Sequence, residues 1–439
     1  MIHNLQASQS RAVRSCSDLC IIAILVWNAT PEMWTKPVTV WSAPLHFAIT
    51  QGLWLLLVVE KLGRKVPPSK FFWLLLAAIG YTAARAGFAN DRNNWDLKYF
   101  VIDLWTVQTF VLGFLWSRRR SLTELAKVFQ ITSGIVIPLV LITTIGLYFG
   151  VIKPIDNEYS DRLYTSSLWS AGCVAQFMWP ILCACRSAPN EWSRLRTLMA
   201  AGYLQACGRF LVSATLFIAM FTATRSLLVV SVVTCAAIWL MEPRRTSQQR
   251  VVAVVVQISF VGAGLTLASV TKVKGYSVID RFQGADLTGE VRINELQWLF
   301  EQLGDDFLSG WGFGSVFYSS IRYHNRQFEA APHIGIVTPL LKGGLVLTTA
   351  LIFVPIAMCL AALWRRSPEA RAAAGCVLVY LVTASLSGGW YPYQTLMFGV
   401  GVGMASIRRR ARSEFSQVVG IPMRLSPTTA ALAPFGNKD

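Results

Sequence analysis

The stretch SGIVIPLVLITTIGLYFGV, residues 133–151, decides the fold. Wound as a helix it carries apolar residues on every side, and a helix with no polar face belongs in a large core or in a bilayer. Apolar runs of similar length recur along most of the chain, and about 20 such residues suffice to cross a hydrocarbon core of about 30 Å. Of the 439 residues, 54% are hydrophobic and only 14% charged. A soluble two-domain protein would need polar faces at helical spacing. The expectation is an all-α, polytopic membrane protein.

Working outward, candidate spans are 17–31, 45–60, 71–88, 99–117, 129–150, 166–185, 198–223, 226–242, 251–270, 344–363, 371–387 and 391–407, twelve in all. Segment 198–242 reads as a helical hairpin, because one helix of that length would be about twice what the bilayer needs. Charge favours the same reading. With a hairpin there, KLGRKVPPSK, SRRRSLTELAK, RSAPNEWSRLR, EPRRTSQQR, WRRSPEAR and IRRRARSE all fall on the cytoplasmic side with both termini. The short outer loops then hold only Lys36, Arg92, Lys98, Lys153 and Arg162, as the positive-inside rule requires. That rule also accounts for most of the net charge of +17, so no nucleic-acid partner is expected, only membrane lipids.

The expected organisation is a cytoplasmic tail 1–16, nine spans over 17–270, an outer loop 271–343, three spans over 344–407 and a disordered tail 408–439. MIHNLQASQSRAVRS leads into the first span without a small-residue cleavage site, so that span is expected to stay as an anchor. The nine cysteines lack metal or disulfide spacing and read as small core residues. The outer loop is the one long polar segment between spans, and such loops are usually functional or disordered. Its aromatic content argues against disorder. Within it, Val291, Leu296, Leu299 and Leu303 recur at helical spacing, with Asp286 and Thr288 placed to start a helix. Short helices lying on the outer face of the membrane domain are expected.

Arg225 lies in an apolar run from Phe210 to Met241 that contains no acid before Glu242. An intramembrane arginine is costly and points to a functional partner. At the outer rim it is joined by Lys272, Lys274, Arg281, Arg292, Arg322, Arg326 and Lys342, with His324 and His333. A field of cations suits an anionic ligand, and the planar fork of arginine suits phosphate. For Arg209, Arg322, Arg326 and the lysines, contact with lipid headgroups fits equally well. The turn LSGWGFGS, with Gly310, Gly312 and Gly314, lacks the GK[ST] and strand–loop–helix context of a nucleotide loop. It reads as a tight turn whose amides are available to a ligand. Acids in the loop show no ligand spacing, so no metal and no other cofactor is expected. His333, just before the apolar IGIVTPLL, is the candidate base, against the plainer reading of an interfacial histidine bonded to backbone.

Four segments in order, TATRSLLV, RINEL, LSGWGFGS and HIGIVTPLLKGGL, resemble the O-antigen ligase and polymerase superfamily over residues 210–345. Ile334 stands where that family often has a polar residue, and Lys342 where an acid is common. The resemblance implies a GT-C-like membrane glycosyltransferase of the bacterial inner membrane whose site faces the periplasm. Its donor would be an undecaprenyl-diphosphate-linked oligosaccharide and its acceptor a hydroxyl, on a lipid-linked glycan or a lipid A core sugar. Arg225 and Arg292 would bind the diphosphate, His333 would act as base or orient it, and Arg281, Arg322, His324, Gly312 and Gly314 would line the substrate. Chain-length-regulating and export partners fit the same picture. A flippase for lipid-linked glycans, from a different class, would also need outer cations, but no base.

Overall fold

In this computed structural model the residues described are 2–29, 47–57, 69–89, 95–118, 120–149, 151, 166–186, 213, 216–219, 228–233, 236, 247–270, 272–273, 276–277, 287–318, 328–329, 332, 334–364, 367–387 and 390–406. The architecture is all-α: α1 (Ile2–Ala29), α2 (Phe47–Leu57), α3 (Lys70–Ala89), α4 (Leu97–Ser117), α5 (Leu122–Tyr148), α6 (Ser166–Arg186), α7 (Ser247–Val270), α8 (Leu287–Leu303), α9 (Thr338–Thr348), α10 (Val354–Leu363), α11 (Pro368–Ser387) and α12 (Pro392–Ala405). Two antiparallel pairs of two-residue strands accompany them. Lys272–Val273 pairs with Tyr276–Ser277, and Phe317–Tyr318 with Phe328–Glu329.

Five helices among the described residues are long and apolar enough to cross a membrane: Lys70–Phe88, Leu97–Ser117, Leu122–Thr143, Gly335–Leu363 and Pro368–Leu386. Shorter apolar helical stretches occur at Phe47–Leu57, Gly172–Leu182 and Gln257–Leu267. The protein is therefore membrane-embedded. The turn of the hairpin expected in 198–242, and the tail from 407, lie outside the described residues.

The core is built on α4 and α12, which make the most extensive helix–helix contact among the described residues. Small residues allow this: a Cβ on Gly399 would meet the Phe110 carbonyl, one on Gly403 the Phe114 carbonyl and one on Gly113 the Leu396 carbonyl. Gly399 and Gly403 form a small-xxx-small pair, which lets two helix backbones approach where hydrophobicity alone cannot drive association. The Thr109 and Thr395 hydroxyls, 2.9 Å apart, bond across the same contact. Around this pair, α11 packs on α12 and α6, α6 on α5, and α1 on α5 and α6.

One end of α4 is pinned by charge. Arg120, read from sequence only as a topology signal, is buried and donates to Asp18 Oδ1 at 3.0 Å, while Trp116 Nε1 donates to the same oxygen at 2.9 Å. Ser121 and Glu124 then start α5 as a reciprocal capping box. Cys173, Cys359 and Cys376 are buried as expected, but Cys16 is exposed and Cys20 only partly covered.

Candidate functional site

The pattern in RINELQWLFEQL does form a helix, α8, which starts at Leu287 and so contains Thr288 in its first turn. Leu299 and Leu303 on its buried side pack with Phe317, Leu340 and Leu341 in a small separate core. A short 3-10 turn, Gly304–Phe307, follows and leads directly into LSGWGFGS.

That turn meets a break in the opposite helix. The 29-residue helical stretch Gly335–Leu363 is interrupted at Gly343 (φ −126°, ψ 17°) and Gly344 (φ 58°, ψ −153°). In an unbroken helix the carbonyls of Leu341 and Lys342 would accept from amides four residues on. Here they accept from the Trp311 amide at 2.9 Å and the Gly312 amide at 2.7 Å. Gly310, Gly312 and Gly314 all have positive φ (67°, 91° and 82°). Their missing Cβ atoms leave room for the Gly343–Gly344 backbone, the Arg85–Ala86 backbone and the Trp95 ring respectively. Non-helical backbone is tolerated in a membrane protein where protein buries it and satisfies it, and both conditions hold here.

A buried ion pair closes the joint. Lys342 Nζ lies 2.8 Å from Asp103 Oδ2, with side-chain exposures of 0% and 2%. Asp103 also accepts from the Gly314 amide at 2.9 Å and from Trp390 Nε1 at 2.9 Å. Lys342 donates in addition to the Ser315 carbonyl. The carboxylate thus receives three donors and ties α4, the glycine turn, the break and the approach to α12 at one point. A second, more open pair sits beside it: Arg85 Nη2 donates to Asp306 Oδ1 at 2.7 Å, and Arg85 Nε to the Gly310 carbonyl at 3.2 Å. Trp95 Nε1 caps the Phe313 carbonyl at 2.8 Å.

These contacts change three expectations. The amides of Gly312 and Gly314, expected to face a ligand, donate within the protein to Lys342 and Asp103. Lys342, grouped with the outer cations, is sealed against Asp103. Residues 338–343, assigned to the outer loop, belong to α9 and are buried, and the helix breaks at Gly343–Gly344, where a span was expected to begin. Arg292 lies on α8. Arg225, Arg281, Arg322, His324 and His333 lie outside the described residues. Asp103 was missed as a contributor, while Arg85 was one of three first-half arginines, with Arg92 and Arg162, whose part in the site the sequence left open. The signal for Asp103 was present: a lone acid inside YFVIDLWTV obeys the same rule that singled out Arg225.

No protein-family model matches the chain, and no curated protein matches it.

Proposed function

We propose that this chain is a membrane glycosyltransferase that moves an oligosaccharide as a block from undecaprenyl diphosphate to a hydroxyl acceptor, polymerising repeat units of a surface polysaccharide. One observation carries the reading. Three of the four motifs that suggested it belong to a single assembly: α8, which contains RINEL, packs on Leu340 and Leu341 of the histidine-led segment, and the glycine turn bonds to that same segment.

In the proposed reaction the acceptor oxygen attacks the anomeric carbon, the bond from that carbon to the diphosphate oxygen breaks, and undecaprenyl diphosphate leaves with inversion. His333 takes the hydroxyl proton, while Arg225 and Arg292 neutralise charge developing on the leaving group, with Arg281 beside them. Arg85 is held to Asp306 and Gly310 through two of its three nitrogens. The reading includes twelve spans, a GT-C-like architecture, a bacterial inner-membrane location, both termini in the cytoplasm and the site on the periplasmic face.

The helix break at Gly343–Gly344 favours a second reading, a flippase, since many secondary transporters build their substrate sites from discontinuous helices. Against it, the Leu341 and Lys342 carbonyls freed by this break already accept from the glycine turn, and both residues are buried. The deciding experiment uses purified protein in nanodiscs with a lipid-linked oligosaccharide, comparing wild type with Arg292→Ala and His333→Ala. Ladders of longer lipid-linked glycan that vanish in both variants support the polymerase. Transfer only when lipid A core is supplied makes the protein a ligase. Translocation of the glycan lipid without transfer, unchanged by His333→Ala, makes it a flippase.

A further inference from the structure

Helix α8 carries a buried side, an exposed polar face and an exposed apolar flank, with Trp298, 40% exposed, on the opposite edge of the polar face. Glu295, Leu299 and Leu303 are buried against the protein at 1%, 0% and 1% exposure. Asn294, Gln297 and Glu301 form an exposed polar face. Between the two runs a flank on which Ile293 and Phe300 stand seven residues apart at 58% and 44% exposure, a spacing that keeps them on one side of a helix. Phe307, a further seven residues on in the 3-10 turn, continues the line at 38% exposure, its ring 6.4 Å from that of Phe300. Leu308, at 65%, ends it.

Four large apolar side chains in one exposed line are more than scattered surface hydrophobes, and their surroundings indicate what covers them. The line ends at Asp306–Gly310, which Arg85 in the last turns of α3 holds directly. On α3 itself Trp73, Tyr81 and Phe88 are exposed at 59%, 40% and 74%, an apolar stripe along a helix long and apolar enough to span the membrane. An exposed apolar flank on α8 and an exposed apolar stripe on a candidate membrane span are thus joined through the Arg85–Asp306 pair. An exposed apolar line joined to the end of a candidate membrane span, with a polar face beside it, is placed to sit among headgroups and upper acyl chains while the polar face meets water.

We infer that α8 is a membrane-interface helix whose Ile293–Phe300–Phe307–Leu308 flank is immersed in the outer part of the bilayer, with Asn294, Gln297 and Glu301 facing water. The partner is the lipid surface itself, and the inference stands whether or not the protein transfers glycans. It also fixes a level: Arg292 belongs to a helix held at headgroup depth, where the diphosphate of a lipid-linked donor would lie.

The test uses the unmodified full chain in phosphatidylglycerol–phosphatidylethanolamine nanodiscs that carry a phospholipid with a diazirine high on its acyl chain. After irradiation and digestion, adducts are expected on Ile293, Phe300, Phe307 and Leu308 and not on Asn294, Gln297 or Glu301. A water-soluble diazirine should give the reverse pattern. Labelling of the apolar flank by the aqueous reagent overturns the inference. So does protection from both reagents that is lost on dilution to one copy per disc, since that identifies a second protein chain as the cover.

Discussion

Lys342 Nζ sits 2.8 Å from Asp103 Oδ2 in a protein interior sealed from solvent. The carboxylate is completed by the Gly314 amide and the Trp390 indole. Removing one charge strands the other, and breaking a buried pair this way costs about 3–5 kcal/mol. Asp103→Asn and Lys342→Met are each expected to lower the unfolding midpoint sharply in detergent. The double variant should recover part of the loss, because it leaves no uncompensated charge. Additive losses in the double variant would show that the two side chains act separately.

The glycines separate conformational cost from packing cost. Gly304 has positive φ (43°) but open space where a Cβ would go, whereas Gly312 (φ 91°) is pressed against the Ala86 backbone. Gly304→Ala should cost about 1–2 kcal/mol, the left-handed penalty alone. Gly312→Ala adds overpacking of about 1–3 kcal/mol and should part the turn from α3. Equal losses in thermal-unfolding measurements would refute the close approach.

Arg85 and Asp306 form a partly covered pair, with side-chain exposures of 30% and 17%. A double-mutant cycle between Arg85→Gln and Asp306→Asn should give a coupling of about 1 kcal/mol or less, shrinking as salt is raised. Arg85→Lys should not restore it, because the interaction uses Nε and Nη2 together and an ammonium cannot copy that fork. A large coupling insensitive to salt would contradict the observed exposure.

For the proposed transfer, the two motif residues should fail differently. His333→Ala removes a proton acceptor and is expected to lower turnover by about 10²-fold or more with donor binding intact. Arg292→Ala removes charge that meets the diphosphate before and during reaction, so donor affinity should fall as well. Donor-lipid titration set beside single-turnover rates distinguishes the two. Identical behaviour in both assays would withdraw the division of roles.

Much of the outline was legible because the relevant forces act within contiguous residues. Helices at Lys70–Ala89, Leu97–Ser117, Ser166–Arg186 and Pro368–Ser387 fall within a few residues of the apolar runs that suggested them, and the repeat of Leu299 and Leu303 located α8. The functional details were less legible. The glycine turn was recognised as a turn, but its partner, the Gly343–Gly344 break, was read as the start of a span. Asp103 was not singled out within its apolar run, and Lys342 was grouped with the outer cations.

Taken alone, the sequence determined the class of the protein: membrane-embedded, all-α, with helices where apolar residues run unbroken, because partition into lipid and backbone hydrogen bonding within a helix are sums over neighbouring residues. Only the tertiary structure decided that Asp103 meets Lys342, that Gly312 gives its amide to the chain and not to a ligand, and that Arg85 belongs to the joint. Those outcomes depend on which distant segments come within a few ångströms of one another, and a charge or an amide carries no local mark of the partner it will find.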